Sequence, residues 1–256
     1  MRPKKSLGQH FLTDKNIIDK IAVAVPAREA DRIIEIGPGT GALTSALLAK
    51  PGEVYGIELD ERAVDVLEKK FPQLCLHHQD VLQVNWQSLS AGKASTHVVG
   101  NLPYYITSQI LFALLEARHL LADAVLMMQK EVAQRLVAEP GGKDYGILSV
   151  QTQLMSTPEI LFPVSRNCFS PPPRVESAMV RLTFNKGVLA CSDKNLKTVV
   201  RTAFNQRRKK LSNALKPVVS KQQQPAGFDY DQRAEAWLPA TYEKLTARLV
   251  EDGILT

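Results

Sequence analysis

Cysteine is scarce: Cys75, Cys168 and Cys191 are the only three in 256 residues, they lie far apart, and no C-x-x-C pair occurs. That spacing offers neither a disulfide framework nor a zinc site, so the thiols read as reduced and no metal is expected. Long apolar runs are missing too, since nothing approaches the roughly 18 residues of a membrane helix. The basic opening MRPKK leads into SLGQHFLTDK instead of an apolar signal core. A cytoplasmic protein without membrane association is therefore expected. Internal repeats are also lacking. Residues 1–185 show no charge excess, with 19 Lys+Arg against 19 Asp+Glu, whereas residues 186–256 carry 13 against 7. The net charge of +6 thus resides at the carboxyl end. A neutral body with a basic end suggests a nucleic-acid footprint, although a solvated helix face has the same composition.

With 45% hydrophobic residues the chain can bury one sizeable core and a smaller second one. Apolar runs rich in Ile and Val alternate with helical patterns, the sign of an α/β fold with a largely parallel sheet. The runs RIIEI (32–36), EVYGIEL (53–59), LCLHHQ (74–79), THVVG (96–100) and AVLMMQ (124–129) are predicted strands. A helix capped near Thr13 precedes the first of them. PEILFPV and ESAMVRLTF are two further strands, and the segment between them has no room for a crossover helix, so they should pair antiparallel. The character changes near Asn185 to helical patterns and a linker-like SKQQQPAG. Two domains follow, 1–185 and a small helical 186–256.

EIGPGTG (35–41) follows a strand and opens a helix, so Gly37, Gly39 and Gly41 form a turn that lets a ligand approach the backbone. A plain tight turn explains one such match equally well, and the spacing differs from the dinucleotide G-x-G-x-x-G. Glu58 ends the second strand, where a carboxylate can accept both hydroxyls of a ribose. The alternative is a cap for the helix that begins at Asp60. Asp80 ends the third strand and can accept an adenine amine while Val81 packs on the ring. Three successive strand ends with these groups suit a nucleoside cofactor lacking a pyrophosphate, namely S-adenosylmethionine.

The fourth strand ends in NLPYY (101–105). An amine conjugated to a ring is a poor nucleophile, and acceptors aimed at its N–H bonds would activate it. The Asn101 side-chain oxygen and a carbonyl at Leu102 or Pro103 supply them, with Pro103 stiffening the turn. Tyr104 offers a stacking face for the target base. Tyr105 reads as the start of the following helix. Phe169, in the polyproline-like FSPPPRV, is a candidate second wall of a base pocket. His77 and His78 are adjacent on a strand, point to opposite faces and read as structural. In FNQRRKKLSN, residues Arg207, Arg208, Lys209 and Lys210 are candidate RNA-backbone contacts.

Eight segments, KKSLGQHFLTD, EIGPGTGALT, GIELD, QDVL, GNLPYYI, KDYGILSV, FSPPPRVESAMVRL and AFNQRRKKLSNAL, occur in an order that resembles the KsgA/RsmA family of ribosomal RNA small-subunit adenine N6,N6-dimethyltransferases. The resemblance implies a class I, Rossmann-like methyltransferase sheet with a small helical carboxyl-terminal domain. It implies dimethylation of N6 on two adjacent adenosines in the 3′-terminal hairpin loop of 16S rRNA, in the small ribosomal subunit, with a role in ribosome biogenesis. It places His10, Leu12, Gly37, Glu58, Asp80 and Asn101 on the cofactor. A monomer is expected. The rival readings are a large-subunit adenine methyltransferase, a binding factor that has lost activity, and an N6 methyltransferase acting on DNA.

Overall fold

The computed structural model describes residue 1, residues 3 and 4, and residues 7–256; of the motif KKSLGQHFLTD, Lys5 and Ser6 lie outside the described residues. The chain divides into two compact units, Met1–Ala133 with Pro158–Phe184, and Gln134–Thr157 with Asn185–Thr256.

In chain order the first unit comprises β1 (Phe11–Leu12), α1 (Lys15–Ala24), β2 (Arg32–Ile36), α2 (Ala42–Leu47), β3 (Glu53–Glu58), α3 (Glu61–Lys70), β4 (Cys75–His78), α4 (Trp86–Ser90), β5 (Thr96–Asn101), α5 (Thr107–Glu116), β6 (Asp123–Gln129) and the start of α6 (Lys130–Leu136). After an excursion through the second unit, it receives β7 (Thr157–Val164, from its second residue), β8 (Phe169–Ser170) and β9 (Ser177–Thr183). Seven strands form one sheet in the order β4-β3-β2-β5-β6-β9-β7. The five from β4 to β6 are parallel, and β9 runs antiparallel to β6 with Met127 opposite Met179. Strand order reverses between β2 and β5, which opens a crevice at the carboxyl edge where such sheets bind ligands.

All five residues of β2 are buried, as expected of a central strand covered on both faces. The core joins Ile33, Val99, Val125, Met127 and Met179 of the sheet to Ile21 of α1, to Val25 at its C-cap, and to Leu47 and Leu67 on α2 and α3. Helix α1 is capped by Asp14, whose carboxylate accepts from Ile17 N–H at 3.1 Å, and not by Thr13. Thr13 instead donates its hydroxyl to the Cys168 carbonyl beside the β1–β8 pair. Similarly, α5 starts at Thr107, so Tyr105 belongs to the preceding turn.

The second unit is helical: α7 (Ile147–Met155), α8 (Asp193–Asn205), α9 (Leu211–Ala214) and α10 (Pro239–Glu251), with α7, α8 and α10 in mutual contact. Tyr145 and Tyr242, both buried, flank Phe204 and donate their hydroxyls to the carbonyls of Trp237 and Ala234. The last segment of the first unit ends at Phe184, and the second unit resumes at Asn185. Gln134–Thr157, however, clusters with the second unit, because the buried residues of α7 pack on α8 and α10.

Candidate active site

Parallel strands deliver their carboxyl ends to one edge, so residues that the sequence spreads from Gly37 to Asn101 meet around a single pocket. Its lining includes His10, Leu12, Glu35, Gly37, Gly39, Glu58, Asp80, Val81, Asn101, Leu102, Pro103, Tyr104 and Tyr105. The residues that the sequence assigns to a cofactor all line this pocket, together with four residues of the NLPYY turn beyond Asn101.

The three glycines have different reasons to be glycine. All have positive φ, but only at Gly37 (φ 67°) would an added Cβ meet nothing within 4 Å. At Gly39 it would lie 3.1 Å from the Phe11 ring, and at Gly41 2.4 Å from Phe71. Close approach of a ligand therefore concerns Gly37, while the other two make room for protein side chains. Asp60, not Glu58, is the N-cap of α3, and Glu58 braces the turn before it: Oε1 accepts from the Leu59 and Asp60 N–H groups at 2.9 and 2.8 Å, and Oε2 from Gly39 N–H at 2.9 Å. Two oxygens offer about four lone-pair sites, so Oε2 retains acceptor capacity. Asp80 spends Oδ1 on the Leu82 N–H, which caps the short turn that carries buried Val81.

At the fourth strand end, the Asn101 Nδ2 donates to the His10 main-chain oxygen at 2.9 Å. This commits the amide nitrogen and orients Oδ1 as the acceptor. Pro103 O already accepts from Ile106 N–H and from the Thr107 hydroxyl at 3.2 and 3.0 Å. Of the two carbonyls the sequence left open, Leu102 is thus the one without a competing turn bond. Tyr104 donates to or accepts from the Ser177 hydroxyl at 2.6 Å, and the His10 imidazole stacks on its ring at 5.8 Å and 26°. The His10 Nδ1 lies 2.8 Å from Pro171 O, which selects the Nδ1–H form. Tyr105, 56% exposed, sits at the pocket mouth over Gly8.

Phe169 lies elsewhere. It pairs with Leu12 across β1 and β8, is 4% exposed, belongs to the core and does not line the pocket. An apolar ring in a two-residue strand gains more from burial than from exposure at a rim. In the second unit, Arg207 donates to Gly142 O and lies 3.8 Å from Glu235, and Lys210 pairs with Asp231 at 3.1 Å. Arg208 and Lys209 stand exposed on the turn after α8. His77 and His78 line no part of the pocket.

Sequence reasoning passed over Glu35, although a lone carboxylate inside RIIEI was the signal. It is buried in the pocket floor and accepts from the Thr44 hydroxyl at 2.6 Å. Burial, opposed by that bond and aided by the Glu58 charge, pushes its carboxyl up to about 8. Three acidic side chains, Glu35, Glu58 and Asp80, line the pocket among its described residues, and no Lys or Arg does. Such a site favours a cationic ligand and repels a pyrophosphate. No group of residues able to hold a metal ion is found among the described residues, and no helix there is long and apolar enough to cross a membrane.

The comparisons with known proteins agree with this geometry. The chain is 43% identical over 258 residues to Ribosomal RNA small subunit methyltransferase A of Porphyromonas gingivalis, covering 97% of this chain and 98% of that protein. It is 43% identical to the protein of the same name from Pseudomonas aeruginosa, covering 98% and 96%. Among solved structures, a dimethyladenosine transferase from Plasmodium falciparum superposes with a TM-score of 0.81 at 26% identity, covering 95% of this chain and 98% of that one. The 23S rRNA methyltransferase ErmE superposes with a TM-score of 0.68 at 26% identity, covering 94% and 99%. Both likenesses are to Rossmann-like methyltransferases, which implies a methyl donor of the S-adenosylmethionine type. The family described as Ribosomal RNA adenine dimethylase matches residues 1–236, and the chain belongs to that family of enzymes.

Proposed function

We propose that the pocket holds S-adenosylmethionine and that the protein dimethylates N6 of two adjacent adenosines in the 3′-terminal hairpin loop of 16S rRNA, within the small ribosomal subunit. The bound donor would supply a methyl group on a sulfonium, a cation that suits a pocket whose described lining holds Glu35, Glu58 and Asp80 and no Lys or Arg. Gly37 would give it access to the backbone, Glu58 would hold its ribose, and Asp80 and Val81 would hold its adenine. The observation that carries the reading is the Asn101 amide, held by His10 so that Oδ1 is left as an acceptor.

An unpaired loop adenine splays out readily and stacks on the side of Tyr104 away from His10. Its N6–H bonds then meet Asn101 Oδ1 and Leu102 O. Accepting those bonds draws the nitrogen lone pair out of conjugation with the ring, which is the main obstacle to attack. No strong base is required, because the methylated nitrogen loses its proton readily to water. The basic turn at Arg208 and Lys209 would contact rRNA backbone, and a ribosomal substrate suits a cytoplasmic enzyme.

The likeness to ErmE keeps a large-subunit substrate in view. Unmethylated small and large subunits, incubated separately with labelled donor and then digested for mass spectrometry, distinguish the two. Dimethyladenosine in the small-subunit hairpin is expected; label confined to the large subunit overturns the proposal.

A further inference from the structure

An aromatic ring selects the plane of its stacking partner only if its own plane is held. Tyr104 sits in a turn, outside any helix or strand, so its backbone alone does not hold the ring. One side of it meets His10, itself tied to Pro171 O. The far end of the ring is fixed by a residue 73 positions away, through the 2.6 Å bond between the Tyr104 and Ser177 hydroxyls. Ser177 opens β9, where it stands opposite Gln129 of β6, and has no exposed surface. It belongs to the sheet and reaches the site only through Tyr104. Burial, only partly offset by this bond, raises the Tyr104 phenol above its usual value.

We infer that Ser177 is a positioning residue for methyl transfer: its hydroxyl fixes the plane of the Tyr104 ring and thereby the angle at which the target adenine presents N6 to Asn101 and Leu102. This rests on the assignment of Tyr104 as the stacking ring. A bond that merely satisfied a buried phenol would contribute to stability and leave turnover unchanged. A positioning bond must appear in kcat, since a small misplacement of the reacting atom is costly even when binding persists.

The test is a double-mutant cycle of Ser177→Ala and Tyr104→Phe in the full chain, read on whichever ribosomal subunit the wild-type protein methylates. Each change removes the same hydrogen bond and keeps the ring. Each is expected to lower kcat roughly fivefold to tenfold, about the worth of one hydrogen bond, with the KM for the methyl donor unchanged. The double variant should be no slower than the slower single one. Losses that multiply, or full kcat in either single variant at a temperature where it is folded, overturn the inference. If the wild-type enzyme labels only large subunits, the substrate assignment fails while the cycle still decides the role of Ser177.

Discussion

The side-chain amide of Asn101 is joined to the main-chain oxygen of His10 at 2.9 Å, so its Oδ1 is oriented by the backbone of a segment 91 residues earlier. In the proposed reaction Oδ1 would accept from the target amine, and its direction depends on Nδ2. Asn101→Ala removes both and should lower methyl transfer by at least about 100-fold, the scale seen when one preorganised group at a reacting centre is deleted. Subunit binding should stay nearly unchanged. Asn101→Asp keeps an acceptor but turns a carboxylate oxygen toward the His10 carbonyl, and it should fall almost as far. Single-turnover rates with filter binding measure both quantities, and a parallel loss of binding would contradict the separation.

The glycines divide in a way that thermal melts can resolve. An alanine at Gly37 meets no protein atom within 4 Å, so Gly37→Ala carries only the strain of a positive φ, roughly 1–2 kcal/mol, while placing a methyl group where the donor approaches. Gly41→Ala drives a Cβ to 2.4 Å from Phe71 and adds overpacking of roughly 1–3 kcal/mol to the same strain. The first variant should lose donor affinity out of proportion to stability. The second should melt markedly lower yet still be stabilised by the donor, as shown by melts with and without it.

Much of this site was readable from one sequence because parallel strands share an edge. If RIIEI, EVYGIEL, LCLHHQ and THVVG are parallel strands, Gly37, Glu58, Asp80 and Asn101 must meet there. Contacts made by backbone atoms or by distant segments left no such trace. Nothing in the side chain of His10 announces that its carbonyl orients Asn101, and a two-residue pairing such as Phe11–Leu12 with Phe169–Ser170 is too short to show periodicity. The same gap placed Phe169 in a base pocket when its partner is Leu12. Gln134–Thr157 was assigned by chain order, whereas the surfaces it covers on α8 and α10 lie up to a hundred positions further on.

Glu35 should make stability fall with pH. Its carboxyl is raised from 4.5 to about 8 when folded, so between those values the folded state holds a proton that the unfolded state has released. Stability from this group is complete below about 4.5 and declines through 8, by roughly a few kcal/mol in all. Glu35→Gln should flatten that decline. A cationic donor beside Glu35 lowers the same pKa, so calorimetry at pH 7.5, roughly half a unit below the raised value, in buffers of different ionisation enthalpy should record proton release that the Gln variant lacks.

His97 supplies a second pH dependence, outside the pocket. Its imidazole lies 3.0 Å from Asp123 and 3.4 Å from Asp31, all three buried. Burial alone would lower its pKa, but the bonds and charges of the two aspartates outweigh burial and raise it above 6.5. The charged clamp is therefore complete below about 6.5 and is lost as pH rises through the higher folded value. His97→Ala leaves both carboxylates buried without their partner and should cost roughly 3–5 kcal/mol near pH 6. Chemical denaturation at pH 6 and pH 9 should show the variant's deficit shrinking at the higher pH, with donor affinity of the folded protein unchanged.

The basic turn of the second unit contains cations of two kinds, and salt titrations can separate them. Arg207 and Lys210 are engaged with Gly142, Glu235 and Asp231, whereas Arg208 and Lys209 are exposed on the same turn. If this turn meets phosphates, each exposed cation releases about 0.7–0.9 counterions. The double variant Arg208→Ala with Lys209→Ala should therefore reduce the slope of log affinity against log salt by roughly 1.4–1.8, and weaken binding to small subunits. Lys210→Ala should change the slope less, because Asp231 already neutralises that charge. Equal slopes for wild type and the double variant would remove the turn from the RNA interface and shift attention to the cations of the first unit.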